Sequence, residues 1–319
     1  MMALIEVEHL KKYFDTPKGP LHAVDDVSFK IEKGKTMGVV GESGCGKSTL
    51  GLTLIHLHES TGGKILFDGK DVTKLNRAEL GKYREDVQII FQDPYSSLNP
   101  RYSVEKTIME PLMISGRFKT KAEVRDEAYR IMDMVGIEER LRGSYPHELD
   151  GGRRQRVGIA RAIALHPEFV VCDEPVSALD VSIQAQILNL LMDLQDHEQL
   201  TYIFVTHDLS VVRHISDTIC VMYLGQMVET CPTDELFKNP LHPYTKALLS
   251  AIPSVDIHNR SKRIQLKGEI TSAIDPKPGC RFAQRCPYAK EDCYRDLTLT
   301  EVRPGHFVSC AYVKEINNL

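Results

Sequence analysis

The chain has 319 residues, of which 42% are hydrophobic and 26% charged, so it is long enough for a large core and for two domains. Its formal net charge of -4 provides no basic surface for nucleic acid, and we expect no nucleic-acid partner. No apolar run approaches the ~20 residues of a membrane helix, and residues 1–6 lack the basic and apolar regions of a secretory signal. Composition therefore predicts a cytosolic globular protein.

The first part of the chain is predicted to form strands around one early helix. Alternating or short apolar runs indicate strands at 4–10, 24–31, 36–40, 62–69 and 87–91. The residues that follow the third of these strands have helical spacing, at 47–57.

The middle of the chain has a different character. From about 100 to 165 the apolar residues follow helical spacing, at 104–114, 121–135 and 152–165. Strands and helices then alternate, at 169–172, 182–197, 202–205 and 209–215. This order predicts a mainly parallel sheet covered by helices, with a helical subdomain inserted at about 100–165. Proline and glycine become frequent near 240, so we expect a domain boundary there, between 1–240 and 241–319.

A glycine-rich loop between the third strand and the first helix matches the phosphate-binding P-loop pattern. Backbone N–H groups of such a loop curve around phosphates, and the N-terminus of the following helix adds positive potential. Lys47 is expected to reach the β- and γ-phosphates, and the Ser48 hydroxyl to ligate Mg²⁺. The candidate nucleotide-binding residues are Gly41, Glu42, Ser43, Gly44, Cys45, Gly46, Lys47, Ser48 and Thr49.

An apolar strand at 169–172 ends in two acids, as in a Walker B motif. Asp173 is expected in the Mg²⁺ shell, and Glu174 is then placed to polarise an attacking water. The alternative is that the two acids simply lie in solvent at the end of the strand. The P-loop upstream makes this alternative less favoured.

The sequence from His147 to Arg156 resembles the signature motif of ATP-binding-cassette (ABC) ATPases, usually Leu-Ser-Gly-Gly-Gln. Here Asp150 stands at the serine position, Gly151 and Gly152 follow, and Arg153 replaces the glutamine. With the P-loop and Walker B motifs in the family's order, the resemblance covers residues 1–240. It implies an α/β fold: a RecA-like core, an antiparallel β subdomain and the inserted α-helical subdomain.

The resemblance also implies roles for residues that spacing alone does not assign. Gln92 fits the Q-loop, which links Mg²⁺ and water to the helical insert, and 177–180 fits the D-loop at the dimer interface. His207 fits the switch histidine that contacts the γ-phosphate. Phe14 fits the aromatic residue that stacks on adenine, with the adjacent Tyr13 as an alternative.

Two stretches resemble the oligopeptide/dipeptide importer ATPases, at 92–100 and 239–249. This likeness extends through the C-terminus and is closer to the family's second, F-type subunit than to the D-type. It implies a second, non-identical ABC ATPase, two transmembrane permeases whose coupling helix is received at about 94–113, and an external solute-binding protein that acts indirectly. The expected location is the cytoplasmic face of the membrane, as a peripheral subunit.

Four cysteines cluster near the C-terminus: Cys280, Cys286, Cys293 and Cys310. Four thiolates suit Zn²⁺ or an iron–sulfur cluster. The spacing lacks the paired cysteines of common zinc sites, and the resemblance implies a [4Fe–4S] cluster in a small irregular extension. Nearby cations are expected to offset the thiolate charge, namely Arg281, Arg285, Lys290 and Arg295.

The altered signature has a predicted consequence for mechanism. ABC subunits pair head to tail, so Asp150 and Arg153 face the ATP that the partner's P-loop holds. We therefore expect a functional ATP site on this chain's P-loop and a degenerate ATP site at its signature. The alternative is that Arg153 pairs with Asp150, so that the second ATP site tolerates the acidic side chain. Other functional readings are an importer of oligosaccharides or another solute, a soluble ABC ATPase of translation or DNA repair, and an inactive regulatory subunit.

Overall fold

The computed structural model describes residues 3–252, 264–266, 268 and 272–319. Its contacts divide the chain into two compact units. The first unit comprises Glu32–Lys35 and Lys74–Ile203; the second comprises Ala3–Ile31, Thr36–Thr73 and the described residues of Phe204–Leu319.

The strands in the described residues are β1 Ala3–Thr16, β2 Gly19–Glu32, β3 Thr36–Val40, β4 Gly62–Phe67, β5 Lys70–Asp71, β6 Val87–Ile90, β7 Phe169–Asp173, β8 Thr201–Thr206, β9 Thr218–Tyr223, β10 Gln226–Pro232, β11 Thr300–Arg303 and β12 His306–Val308. The α-helices are α1 Lys47–Leu54, α2 Arg77–Asp86, α3 Pro94–Ser97, α4 Val104–Ser115, α5 Lys121–Met134, α6 Gly151–Ile163, α7 Val181–Glu198, α8 Leu209–Ile215, α9 Thr233–Lys238, α10 Pro243–Ser250 and α11 Val313–Asn317. None of the helices in these described stretches is long and apolar enough to cross a membrane.

The second unit contains an antiparallel sheet of strand order β2-β1-β4-β5. Its other strands follow the order β11-β12-β10-β9-β3, in which β3 and β9 run parallel with Val39 opposite Cys220. Every residue of β3 is buried, as expected of a central strand that is covered on both faces. The phosphate loop therefore begins at the end of a strand that lies inside a packed core.

The first unit combines the parallel pair β6 and β7 with helices α2 to α7. Helix α5 begins with a capping box. The Thr120 side chain accepts from the Glu123 N–H, and the Glu123 side chain accepts from the Thr120 N–H. Helices α4, α5 and α6 pack together and lie in the stretch where the sequence predicts helices. β8 begins in the first unit and ends in the second.

The C-terminal residues, predicted as a separate extension, belong to the second unit by their contacts. β12 pairs with β10, with Val308 opposite Glu229, so the last strands continue the sheet that carries β3. Upstream, Leu21 in β2 forms a bridge with Ile274. The late residues thus belong to the same compact unit as the phosphate loop, and the boundary near 240 stays a prediction.

Candidate active site

The phosphate loop joins β3 to α1 and has the backbone shape that its glycines permit. Gly46 precedes α1 with φ of 103°, a left-handed conformation that side chains disfavour. A Cβ at Gly46 would also lie 1.9 Å from the carbonyl oxygen of Ala23. The turn therefore requires glycine, and the first turn of α1 begins directly after the loop.

Lys47 lies inside this loop. It is 4% exposed, and its Nζ donates to the carbonyl oxygens of Gly41 at 2.9 Å and Glu42 at 3.0 Å. Cys45 is buried behind the loop, and burial raises the pKa of its thiol, so it packs as a neutral group. The arrangement holds one positive charge within the loop, as binding of the β- and γ-phosphates requires.

Gln92 and Glu174 are brought together in the first unit. Gln92 Nε2 donates to Glu174 Oε2 at 3.1 Å and contacts Ser177 Oγ at 3.4 Å, while Ser177 Oγ donates to the Glu174 carbonyl at 3.1 Å. Glu174 has φ of 46°, a strained conformation for glutamate of the kind that functional sites retain. It follows Asp173, which ends the buried strand β7. The Q-loop, Walker B and D-loop residues thus form one polar cluster.

The altered signature is an ordered N-terminal cap of α6. Asp150 Oδ1 accepts from the Arg153 N–H at 2.8 Å, and Arg153 Nη1 donates to Asp150 Oδ2 at 3.1 Å. The other guanidinium nitrogen donates to Glu138 at 3.0 Å, so one cation pairs with two carboxylates. Asp150 and Arg153 remain 57% and 41% exposed. A Cβ at Gly152 would lie 2.8 Å from Ile183 on α7, which explains the glycine.

Tyr13 and Phe14 point to different surroundings. The Tyr13 ring stacks on His22 with centroids 3.8 Å apart, and its hydroxyl donates to Asp25. Burial raises the Tyr13 pKa, and hydrogen bonding to Asp25 raises it further. Phe14 instead meets His58 edge to face at 5.3 Å. Because His22 precedes Ala23, which contacts the phosphate-loop turn, the geometry favours Tyr13, and an adenine contact by either residue stays a prediction.

His207 follows β8 at the head of α8. It is exposed, and the next residue, Asp208, caps α8 by accepting from the Ser210 N–H at 2.7 Å. His207 and the phosphate loop belong to the second unit, whereas Gln92, Asp173 and Glu174 belong to the first. Mg²⁺ coordination by Ser48, Gln92 and Asp173 together therefore stays a prediction.

The four C-terminal cysteines line one small cavity. Among the residues that the structure describes, no group of three or more His, Cys, Asp or Glu side chains is arranged to hold a metal ion. Burial raises the pKa of Cys280 to about 12 and of Cys310 to about 11, so both side chains are neutral thiols here. The expected [4Fe–4S] cluster, and the Zn²⁺ alternative, are therefore unsupported.

The cations near these cysteines do not serve the thiolates either. Arg281 pairs with Asp25, and Arg285 donates to Glu42 of the phosphate loop at 2.7 Å. Lys290 pairs with Glu315, and Arg295 with Asp292 at 3.0 Å. Sequence reasoning missed the carboxylate partners of Arg281 and Arg285, because Arg285 and Glu42 are 243 positions apart and no periodic pattern connects them.

Signature and Q-loop segments are also linked by residues that sequence reasoning did not single out. The Arg154 guanidinium lies 3.5 Å from the centroid of Tyr95, and Arg154 Nε donates to the Pro146 carbonyl at 2.5 Å. Arg161 donates to the carbonyl of Ser97 at 2.5 Å. Two arginines of α6 thus hold the segment that follows Gln92.

Comparison with known families gives two matches along the chain. Residues 24–177 match the ABC transporter family, and residues 228–293 match the C-terminal region of oligopeptide/dipeptide transporters. The oligopeptide transport ATP-binding protein AppF of Bacillus subtilis is 48% identical over 318 residues, covering 96% of each chain. The oligopeptide transport ATP-binding protein OppF of the same organism is 49% identical over 308 residues, again covering 96% of each.

Solved structures agree in fold. The cbiO1 subunit of Clostridium perfringens, part of the ABC transporter complex cbiONQ, superimposes with a TM-score of 0.67 at 28% identity, covering 75% of this chain and 92% of that one. The ABC transporter cassette MJ0796, in a dimeric post-hydrolysis state with ADP and Pi, gives 0.66 at 29% identity, covering 72% and 98%. The chain belongs to the ABC transporter ATPases, in the oligopeptide/dipeptide transporter family.

Proposed function

We propose that this chain is the ATP-hydrolysing subunit that powers peptide import through a heteromeric ABC transporter. The observation that carries the proposal is the Gln92–Glu174 contact, in a chain that matches oligopeptide transport ATP-binding proteins over 96% of its length. We further propose an ABC nucleotide-binding domain at 1–240, with its helical subdomain at about 100–165, and a peptide-importer extension at 241–319.

Each candidate residue has a role that follows from its chemistry. The loop from Gly41 to Thr49 binds the phosphates through its N–H groups and through Lys47. Glu174 accepts a proton from the attacking water, and Gln92 holds that carboxylate in place. His207 supports the γ-phosphate as charge develops on it. Bound Mg²⁺ neutralises phosphate charge, and Ser48, Asp173 and Gln92 would hold it.

The proposed assembly contains a second, non-identical ABC ATPase and two transmembrane permeases, and receives its solute indirectly from an external binding protein. Exposure of Asp150 and Arg153 supports a role for the signature outside this chain. Tyr95 is 63% exposed beside the Q-loop, in the segment proposed to meet a permease. The chain would then lie at the cytoplasmic face of the membrane as a peripheral subunit.

The two ATP sites of this assembly are proposed to be unequal. Asp150 adds a carboxylate to a network in which Arg153 donates to both Asp150 and Glu138, and Glu138 also accepts from Arg140 at 2.6 Å, so these four side chains are neutral in sum. The Asp150 carboxylate would face the γ-phosphate bound by the partner's P-loop and oppose its binding, and the pairing with Arg153 offsets part of this repulsion. This chain's own Lys47, Glu174 and His207 are of the types that hydrolysis requires, so its P-loop site is the proposed hydrolytic site.

Reconstituted uptake tests the cargo. Vesicles that contain the two permeases and the two ATPases, with binding protein outside and ATP inside, should accumulate labelled oligopeptides but not oligosaccharides of similar mass. ATP-dependent uptake of the oligosaccharide alone would favour the alternative hypothesis of an oligosaccharide importer. A purified chain that hydrolyses ATP at full rate without permeases, and does not co-purify with them, would favour a soluble ABC ATPase.

A further inference from the structure

The C-terminal extension contacts the phosphate loop at its second residue, Glu42. The backbone N–H of Glu42 donates to the hydroxyl of Tyr244 on α10 at 2.9 Å. The carboxylate of Glu42 accepts from Arg285 Nη1 at 2.7 Å. Main chain and side chain of one loop residue are thus both held by residues more than 200 positions later.

Both anchors are themselves fixed by packing. Tyr244 is fully buried, and its ring meets Tyr223 at 4.8 Å and Phe282 at 5.3 Å between centroids. The side chain of Arg285 is 10% exposed and also donates to the Tyr223 hydroxyl at 3.3 Å. Side chains held in this way fix the position of what they bind, because moving them would disturb a packed core.

A second arginine of the same turn contacts β2 beside the loop. Arg281 pairs with Asp25 and donates to the carbonyl of Leu224. The next residue, Gly225, donates its N–H to the carbonyl of Cys45 in the phosphate loop at 2.8 Å. The turn between Cys280 and Cys286 therefore contacts the phosphate loop in two ways. Arg285 binds the loop directly, and Arg281 binds the backbone at Leu224, next to the residue that donates to the loop.

Charge gives the direct contact a second effect. Glu42 places a carboxylate in the loop that receives the phosphates of ATP, where an unpaired negative charge opposes binding. A guanidinium at 2.7 Å neutralises that carboxylate in a largely buried setting, where the pairing is weakly screened. Removal of Arg285 would leave the carboxylate unpaired beside the nucleotide.

We propose that Arg285 and Tyr244 are positioning residues for this chain's ATP site, so that the C-terminal extension sets nucleotide affinity through Glu42. The inference rests on the proposed ATP site. It predicts that Arg285→Ala weakens binding of Mg·ADP to the full chain by roughly tenfold, within the usual range for coupled sites. Arg285→Lys should recover part of the loss, and Tyr244→Phe, which removes one hydroxyl, should weaken binding less.

A double variant separates this role from a general loss of stability. Glu42→Gln removes the unpaired charge, so Arg285→Ala combined with Glu42→Gln should bind Mg·ADP more tightly than Arg285→Ala alone. In the assembled transporter, Arg285→Ala should raise KM for ATP while kcat at saturation changes little. Arg295→Ala is the matched control, since Arg295 pairs with an acid of the same segment and is 71% exposed.

Calorimetry on the full chain, with thermal unfolding to check folding, gives the readout. A folded Arg285→Ala chain with Mg·ADP affinity within twofold of wild type overturns the inference, as does a loss that Glu42→Gln does not relieve. If Arg285→Ala does not fold, unchanged affinity in Tyr244→Phe overturns it equally. A wild-type chain that binds no nucleotide would instead refute the proposed ATP site itself.

Discussion

Replacement of Asp150 by serine isolates the charge of the altered signature from its structural role. Aspartate and serine are both strong helix N-caps, so α6 should begin at the same residue and keep its stability within a few tenths of a kcal/mol. Arg153 loses one carboxylate partner and keeps Glu138. The net charge of Asp150, Arg153, Glu138 and Arg140 changes from zero to one positive.

The size of the effect follows from the distance expected between this cap and a γ-phosphate. Two unit charges at ~4 Å repel by about 1 kcal/mol in water and about 4 kcal/mol at an effective dielectric of 20. Asp150 is 57% exposed in the free chain, which favours the lower value, and closure of the partner over it would raise the value. Asp150→Ser should therefore raise hydrolysis at the partner's P-loop by about fivefold or more.

The assay needs a background in which only that site turns over. In an assembled transporter that carries Glu174→Gln, the residual ATPase activity reports the second site, and adding Asp150→Ser should raise it. Arg153→Gln alone should lower it, because the Asp150 carboxylate then lacks its cation. Glu139→Gln, which removes one negative charge from a side chain 79% exposed in a neighbouring turn, is the matched control. An unchanged or lower residual rate with Asp150→Ser in an intact complex would refute the reasoning.

Two further predictions concern the second unit. Tyr13→Ala should weaken Mg·ATP binding to the full chain several-fold while Phe14→Ala changes it little, because a base stacked on an aromatic side chain gains about 1–3 kcal/mol; equal effects in equilibrium binding would contradict this assignment. His242→Asn keeps an acceptor for the Tyr244 N–H at the start of α10 but removes an imidazole whose pKa burial lowers to about 4. The unfolded chain gains a proton there as pH falls from about 6.5 to 4 and the folded chain does not, so wild-type stability should fall by up to about 3 kcal/mol across this window. Urea unfolding at pH 7 and at pH 4.5 should show that His242→Asn loses less free energy of unfolding between these two pH values than wild type does. An identical loss would show that His242 is not the titrating group.

Local signals made much of the site predictable. A glycine turn between a buried strand and a helix has a fixed spacing, so the loop around Lys47 could be placed from sequence. The Walker B acids follow for the same reason, because β7 is a continuous apolar run that ends at Asp173. Such features depend on neighbours in the chain and leave a pattern there.

Long-range features left no such pattern. Strands β9 to β12 were not predicted, and β12 joins the sheet by pairing with β10 about 80 residues earlier. The cations near the four cysteines were assigned to the thiolates, their nearest neighbours in sequence, whereas Arg281 and Arg285 fold back onto Asp25 and Glu42. Adjacent residues in a strand face opposite sides, so Tyr13 and Phe14 could be separated only once their contacts were known.

The steady-state ATPase rate of the assembled transporter with Glu174→Gln tests the central claim most directly. If this chain's own P-loop site performs most of the hydrolysis, the rate should fall by about a hundredfold or more, as loss of a general base does. The corresponding substitution in the partner ATPase should change the rate far less. A Glu174→Gln transporter that hydrolyses ATP and imports peptide at near the wild-type rate would contradict the account.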